Sequence, residues 1–399
     1  MTENALALNL PRRRLFLPSL FSASFASGPI SVLTALLLID IGNTFNTSVG
    51  IAGQVNTAYS TVAFIAAMLM GALSIKFRHK SLLLVGLALI LLSAIGCYLA
   101  LDFTLFLISY SFSGAGFAMI TPMTFALIGE RVSLARRAHA VGWINAGGAI
   151  VWVVGAPIIA LMAETSGWRF PLFGFIAPIL AISLLLAFLG LPSDSAIPSD
   201  SAGISSYLQS FKQILSSRSA VACLIGDSLR SGAFVAIVVY AASFVRERFQ
   251  ASTNLASLVL LGGATSYALG SVAGGPLVNK TGRKASTVLT ALLAGVFTFI
   301  FAFAPDLWLS ILLIMLASWF FGMVATAANS LTLEQIPRLR GSLMSVDSAA
   351  VNLGSALGAA VGGATLIAFG YEALGLSLGL LSVVGALVVN LLAVDPTRP

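Results

Sequence analysis

Eleven stretches of this chain run for 21 residues or more without one Asp, Glu, Lys or Arg, and together they fill most of its 399 positions. About 20 apolar residues wound as a helix cross a ~30 Å hydrocarbon core. Lipid offers backbone N–H and C=O groups no partner, so a chain written this way must enter the bilayer as helices. A twelfth segment, 219–245, qualifies if Asp227 and Arg230 are tolerated inside it. The composition agrees: 58% apolar and only 9% charged residues, against about 25% charged in a soluble domain. The reading is an all-α integral membrane protein with twelve transmembrane helices.

The net charge of +7 does not point to nucleic acid, because of where the cations fall. With the N-terminus inside, seventeen of the 21 Lys and Arg lie in inside loops and tails; Arg169, Arg246 and Arg248 lie outside and Arg230 within a span. That asymmetry is the positive-inside rule, and it places both termini in the cytoplasm. Cys97 and Cys223 fall in separate spans and read as small apolar filler. His79 and His139 sit among Lys and Arg, where neither a metal site nor a catalytic base is expected. Arg13-Arg14 is the flank of a retained first span, not an export signal.

Two phrases 204 residues apart nearly repeat: GALSIKFRHK from Gly71 and GPLVNKTGRK from Gly275. The same offset pairs Asp102 with Asp306, Glu130 with Glu334 and Arg136 with Arg340. Acidic residues number only 14, so the chain reads as two six-helix halves in parallel repeat. The expected units are 1–191, a linker 192–218, and 219–399. The linker opens with the flexible PSDSAIPSDSAG and continues as an amphipathic helix, with Ile204, Leu208, Phe211 and Leu215 on one stripe, lying on the inner surface.

Two six-span halves, a long central inside loop and a twice-written basic Gly-x-Leu-x-x-Lys-x-x-x-Lys loop resemble the major facilitator superfamily. Gly167-Trp168-Arg169 resembles its bacterial drug- and sugar-efflux branch, which implies a bacterial inner membrane. The family pattern, roughly G-x-L-x-D-[RK]-x-G-R-[RK], is broken here: Ile75 and Asn279 stand at its Asp and Arg78 at its first-copy Gly. Tyr110 stands where the family has a span-four Arg, and the span-five antiporter signature is kept only as Gly147, Gly148, Gly155 and Pro157.

The resemblance implies alternating access, with the repeated loops as a cytoplasmic gate: Gly71, Lys76, Lys80 and Glu130 in one half, Gly275, Asn279, Arg283, Lys284 and Glu334 in the other. The loop Lys and Arg can bond helix C-terminal carbonyls or acidic partners across the seam, with Glu130 and Glu334 as candidate partners for Lys76, Lys80, Arg283 or Lys284. Exposed pairs contribute about 0–1 kcal/mol each, a scale suited to a gate that opens every cycle. With both Asp positions lost, this lock is expected to be weaker than the family's.

An ionisable residue at mid-bilayer costs about 2.5–3.5 kcal/mol, so it defaults to a functional reading. Asp227 and Arg230 share a face of span seven; Asp347 is expected shallower, at the start of span eleven, where helix capping competes with proton binding. Asp227 and Asp347 are the proton-coupling candidates, with Arg230 biasing them or meeting substrate. Asp40, at the outer end of span one, reads as a loop residue. The family's path-lining spans favour Tyr110, Tyr240, Trp319 and Asn329 for the substrate cavity, with Asn145 and Asn352 as further polar candidates. Gly28-Pro29 should loosen span one, and Gly354, Gly358 and Gly362 should press span eleven against a neighbour.

The leading function is export of a small organic solute, drug-like or sugar-like, in exchange for protons, by a monomer needing no cofactor. The alternatives are uptake or facilitated diffusion on the same fold, and a membrane sensor or scaffold without flux. No nucleotide loop, metal-spaced His/Cys set or Ser/His/Asp arrangement points to an enzyme.

Overall fold

A computed structural model describes residues 10–132, 134–192 and 204–396, and every regular element among them is helical. The first half holds span one (Leu10–Ala26, Pro29–Leu36 and Leu38–Thr44), span two (Gln54–Lys76), span three (His79–Leu99) and span four (Phe103–Arg131). Span five runs through Leu134–Ile150, Val151–Gly155 and Ala156–Ser166, and span six through Leu172–Ile176 and Ala177–Gly190. The linker helix is Ile204–Ser216. The second half holds span seven (Arg218–Phe249), span eight (Thr253–Thr281), span nine (Arg283–Phe301), span ten (Leu307–Gln335) and the continuous Arg340–Leu392.

Ten helices among the described residues are long and apolar enough to cross a membrane. One of them, Pro337–Leu392, has 56 residues, and at 1.5 Å each would reach about 84 Å, far beyond one bilayer. Gly370, with φ 80° and ψ −171°, divides it into spans eleven and twelve. Span two, Gln54–Lys76, completes the twelve.

Local chemistry sets the ends and bends. Asp102 Oδ1 accepts from Leu105 N at 2.8 Å and Asp306 Oδ1 from Leu309 N at 2.9 Å. The 204-residue repeat is thus carried by a shared N-cap. Span one breaks at Ser27-Gly28, where Pro29 has no N–H for the Phe25 carbonyl, and again at Leu37 (φ −109°, ψ 25°). Spans five and six each contain a π-helical turn, Val151–Gly155 and Leu172–Ile176. Pro157 and Pro178 follow them and leave the carbonyls of Val153 and Gly174 without an i+4 donor, a recognised cause of such turns.

The repeated basic loops lie on one face, called here the basic face. On the opposite face the halves are locked. Arg246 of span seven grips Asp40 of span one, Nη1 to Oδ2 at 2.5 Å and Nη2 to Oδ1 at 3.2 Å, and also donates to Leu36 O at 3.3 Å. Glu164 of span five accepts from the backbone and side-chain nitrogens of Asn254 at the head of span eight. Between these clasps, a Cβ added to Gly50 would meet the Gly363 carbonyl and Ile367, and one on Gly53 the Tyr240 ring. Asp40 is therefore a clasp between the halves and not the loop residue its position suggested.

Toward the basic face the halves part. Span eight meets span five along Val151–Gly155 and Ala156–Ser166, whereas Leu134–Ile150 packs on span one. A Cβ on Gly129, Gly142, Gly275 or Gly341 would meet open space. The bundles thus part at the basic end along spans one, five and eight, while span two stays packed on Arg340–Leu392.

Candidate functional site

Span seven carries the deepest charges, and its own packing puts them there. Gly354 and Gly358 of span eleven let that helix approach until an added Cβ would strike the Ser228 and Gly232 carbonyls, and Gly362 lies against the Tyr240 ring. Backbone thus rests on backbone, and Asp227, Arg230 and Asp347 are carried into the interior of the second bundle. Their exposures are only 3%, 7% and 3%. They face neither open water nor lipid.

Arg230 Nε donates to Asp227 Oδ1 at 2.7 Å, Nη2 lies 2.5 Å from the same oxygen, and Nη2 also donates to Ser231 Oγ at 3.0 Å. This is a neutral, internally bonded pair three residues apart. Asp347 is the eighth residue of a helix beginning at Arg340, about 10 Å along its axis. It is deeper than its place before a charge-free run suggested, and it is no cap. Its carboxyl interacts with Asp227 and Arg230, yet Oδ1 is buried with no hydrogen-bond partner. A cavity of about 10 Å³, room for one water, adjoins the pair and is lined by Cys223, Asp227, Arg230, Thr287 and Thr332 among others. Two acids thus stand against one base, with one acid oxygen unsatisfied.

The other predicted positions separate. Tyr110 is fully buried, with its hydroxyl 2.8 Å from Thr34 Oγ1 of span one and its ring beside Tyr59 of span two, centroids 5.5 Å apart. Tyr240 is buried at the locked end of the seam, donating to Ala359 O at 3.2 Å. Trp319 is half-buried, and its backbone packs on Gly270 of span eight. Asn145 of span five and Asn329 of span ten are exposed. Asn352 donates to Ser348 O of its own helix at 2.9 Å. Of these six, then, the structure brings Tyr110 and Tyr240 into buried helix contacts and leaves Asn145 and Asn329 accessible.

Several contacts of the basic loops lie within one half, among them the expected pair of Glu334 with Arg283 and the bonds of Lys80 to helix-end carbonyls. His79 Nδ1 lies 2.5 Å from Glu130 Oε1. Lys80 donates to Phe188 O at 2.8 Å and Leu191 O at 2.6 Å, holding the end of span six. Glu334 takes Arg340 at 2.7 Å and Arg283 at 3.9 Å. The backbone N–H groups of Arg283 and Lys284 donate to Asp395 Oδ2 at 3.0 and 3.3 Å. Asp395 is the 204-residue equivalent of Leu191, so both copies of the phrase anchor the sixth span of their half, by different chemistry. Asn279 is exposed and Gly275 faces open space; the side chains of Gly71 and Lys76 lie outside the described residues.

A family model for the Major Facilitator Superfamily matches residues 19–264 and 228–399. The chain belongs to the major facilitator superfamily. It is 26% identical over 384 residues to a probable sugar efflux transporter of Helicobacter pylori, covering 92% of this chain and 93% of the relative. The nucleoside transporter NupG superimposes with a TM-score of 0.80 at 14% identity, covering 94% of this chain and 99% of that one. A D-xylose–proton symporter superimposes with a TM-score of 0.79 at 16% identity over 96% and 98%. Superfamily members of this kind are transporters and not enzymes, and this one is a multi-pass membrane protein of two six-helix halves.

Proposed function

We propose that this superfamily member exports a small organic solute, sugar-like or neutral and drug-like, in exchange for protons, with the basic face cytoplasmic in a bacterial inner membrane. The observation that carries the proton part is Asp347: a buried carboxyl with one oxygen unpartnered, beside an Asp227–Arg230 pair that is already neutral. Asp347 is then the proton carrier. Asp227 holds Arg230 in place, and Arg230 is the cation that both acids share. When Asp347 loses its proton, Arg230 faces two carboxylates in a medium where charge is expensive. That rearrangement, acting on spans seven and eleven together, biases the rocking of the halves.

The exposed positions assigned to the cargo path are amides rather than charges. Asn145 and Asn329 are exposed within spans, where a polar side chain is favoured toward water and not acyl chains, which suits hydroxyl-bearing or amphipathic cargo. Sequence similarity to sugar efflux proteins supports the outward direction.

The test is solute uptake into inverted vesicles under an imposed pH gradient, with sugars and neutral amphipaths as cargo. Gradient-driven accumulation should appear in the wild type and vanish in Asp347→Asn, while solute exchange without a gradient persists. Equal gradient-driven uptake in both proteins would remove Asp347 from the coupling.

A further inference from the structure

The linker helix ends one residue short of span seven. Ser217 is both the joint and the N-cap, its Oγ accepting from Ala220 N at 3.3 Å. So short a joint leaves the helix little freedom, and it folds against the basic end of the second half. Ile214 is wholly buried there, among Ala220 and Leu224 of span seven and Leu343 and Val346 of span eleven, with Phe211 packed alongside.

The register of that plug matters. Leu224 stands three residues before Asp227, about 4.5 Å nearer the basic face, and Leu343 four before Asp347, about 6 Å nearer. The layer that Ile214 completes lies between the acid site and the water on that face. The linker helix also meets span two of the first half, so it touches both bodies that move. The titratable groups around the acid site are Asp227, Arg230, Asp347, Tyr267 and Cys223, with Lys284 acting on Cys223 from the head of span nine.

We propose that the linker helix is a lid on the buried acids, with Ile214 as its sealing side chain, and that protons cross between this site and the basic-face water only when the lid lifts. Solute and proton then have separate gates. The consequence for transport rests on the proton-exchange reading above; the lid itself is tested by access alone.

Cys223 lines the same small cavity as Asp227 and Arg230 and is 3% exposed, so the chain carries its own reporter. In a Cys97→Ala background, the rate of Cys223 alkylation by iodoacetamide is measured with Ile214→Ser and with Ile214→Leu. Removing the plug should raise the rate roughly tenfold or more, as expected for a local opening that becomes easier, while the leucine variant stays near the parent. An unchanged rate with Ile214→Ser overturns the lid. So does equal acceleration of Cys97 in a Cys223→Ser, Ile214→Ser protein, which would mean general loosening. Faster labelling of Cys223 alone supports the lid even if Asp347→Asn leaves transport unaltered.

Discussion

Arg246→Ala should release the locked face. The bond it removes is bidentate and spans the two halves, with side-chain exposures of 14% for Arg246 and 33% for Asp40. A fully exposed pair would contribute about 0–1 kcal/mol, and hydrogen bonds to charged groups about 1.5–3 kcal/mol. The third of Asp40 open to water argues for the lower part of that range, about 2 kcal/mol. At 1.4 kcal/mol per tenfold, the balance between the form closed on this face and the form open there should move roughly 25-fold toward opening. Spin labels at Asn43 and Arg248, both exposed at the ends of spans one and seven, report that distance by pulsed EPR in a protein lacking native cysteines. The long-distance population should grow in Arg246→Ala and in Asp40→Asn, and shrink again in the charge-swapped Asp40→Arg, Arg246→Asp protein. Raising salt to 1 M, where the screening length falls to about 3 Å, should narrow the difference. If the single variants leave the distribution unchanged, or the swap stays as open as either one, the pair is not a clasp.

Asp227→Asn should lower the melting temperature more than Asp347→Asn, because it strips a buried Arg230 of its nearest counter-ion, a loss of about 3–5 kcal/mol softened by Asp347; differential scanning fluorimetry in detergent compares them. Gly358→Leu should prevent folding or separate spans seven and eleven, since its Cβ meets Gly232 backbone that cannot yield; Gly142→Ala, in open space, is the matched control and should behave as wild type in size-exclusion chromatography. Asp395→Ala removes the acceptor for two N–H groups at the head of span nine and should cost about 1 kcal/mol, read as a drop of a few degrees in melting temperature.

The twelve spans and the two halves could be read directly because both depend on local statistics: charge-free length and a repeat at fixed offset. The depth of Asp347 could not. A charge-free run begins after it, but the helix that carries it begins seven residues earlier, and only the helix sets depth. Asp40 and Arg246 are each unremarkable at a helix end; their meaning lies in a contact 206 residues apart across a seam. For a related reason the side of the seam on which the basic loops pair was not legible, although Glu334 with Arg283 was. Charge complementarity between Glu130, Glu334 and the loop cations is satisfied within each half, and sequence alone does not say which surfaces are together. Phe211 carried a signal, the amphipathic stripe, and it packs on protein; Ile214, which is buried, stood off that stripe, and Leu215, which was on it, is 50% exposed. Lipid and protein make the same demand on an apolar face.

The two halves are not equally stiff. Spans seven and eleven lie backbone against backbone through Gly232, Gly354 and Gly358, and span seven runs unbroken for 32 residues. Span one is cut twice and spans five and six each take a π turn. Gly28, at the first cut, sits directly against Val151, where one of those turns starts. A motion that must bend something will therefore bend the first half, which yields at aligned weak points, while the second swings as one lever carrying its acids with it.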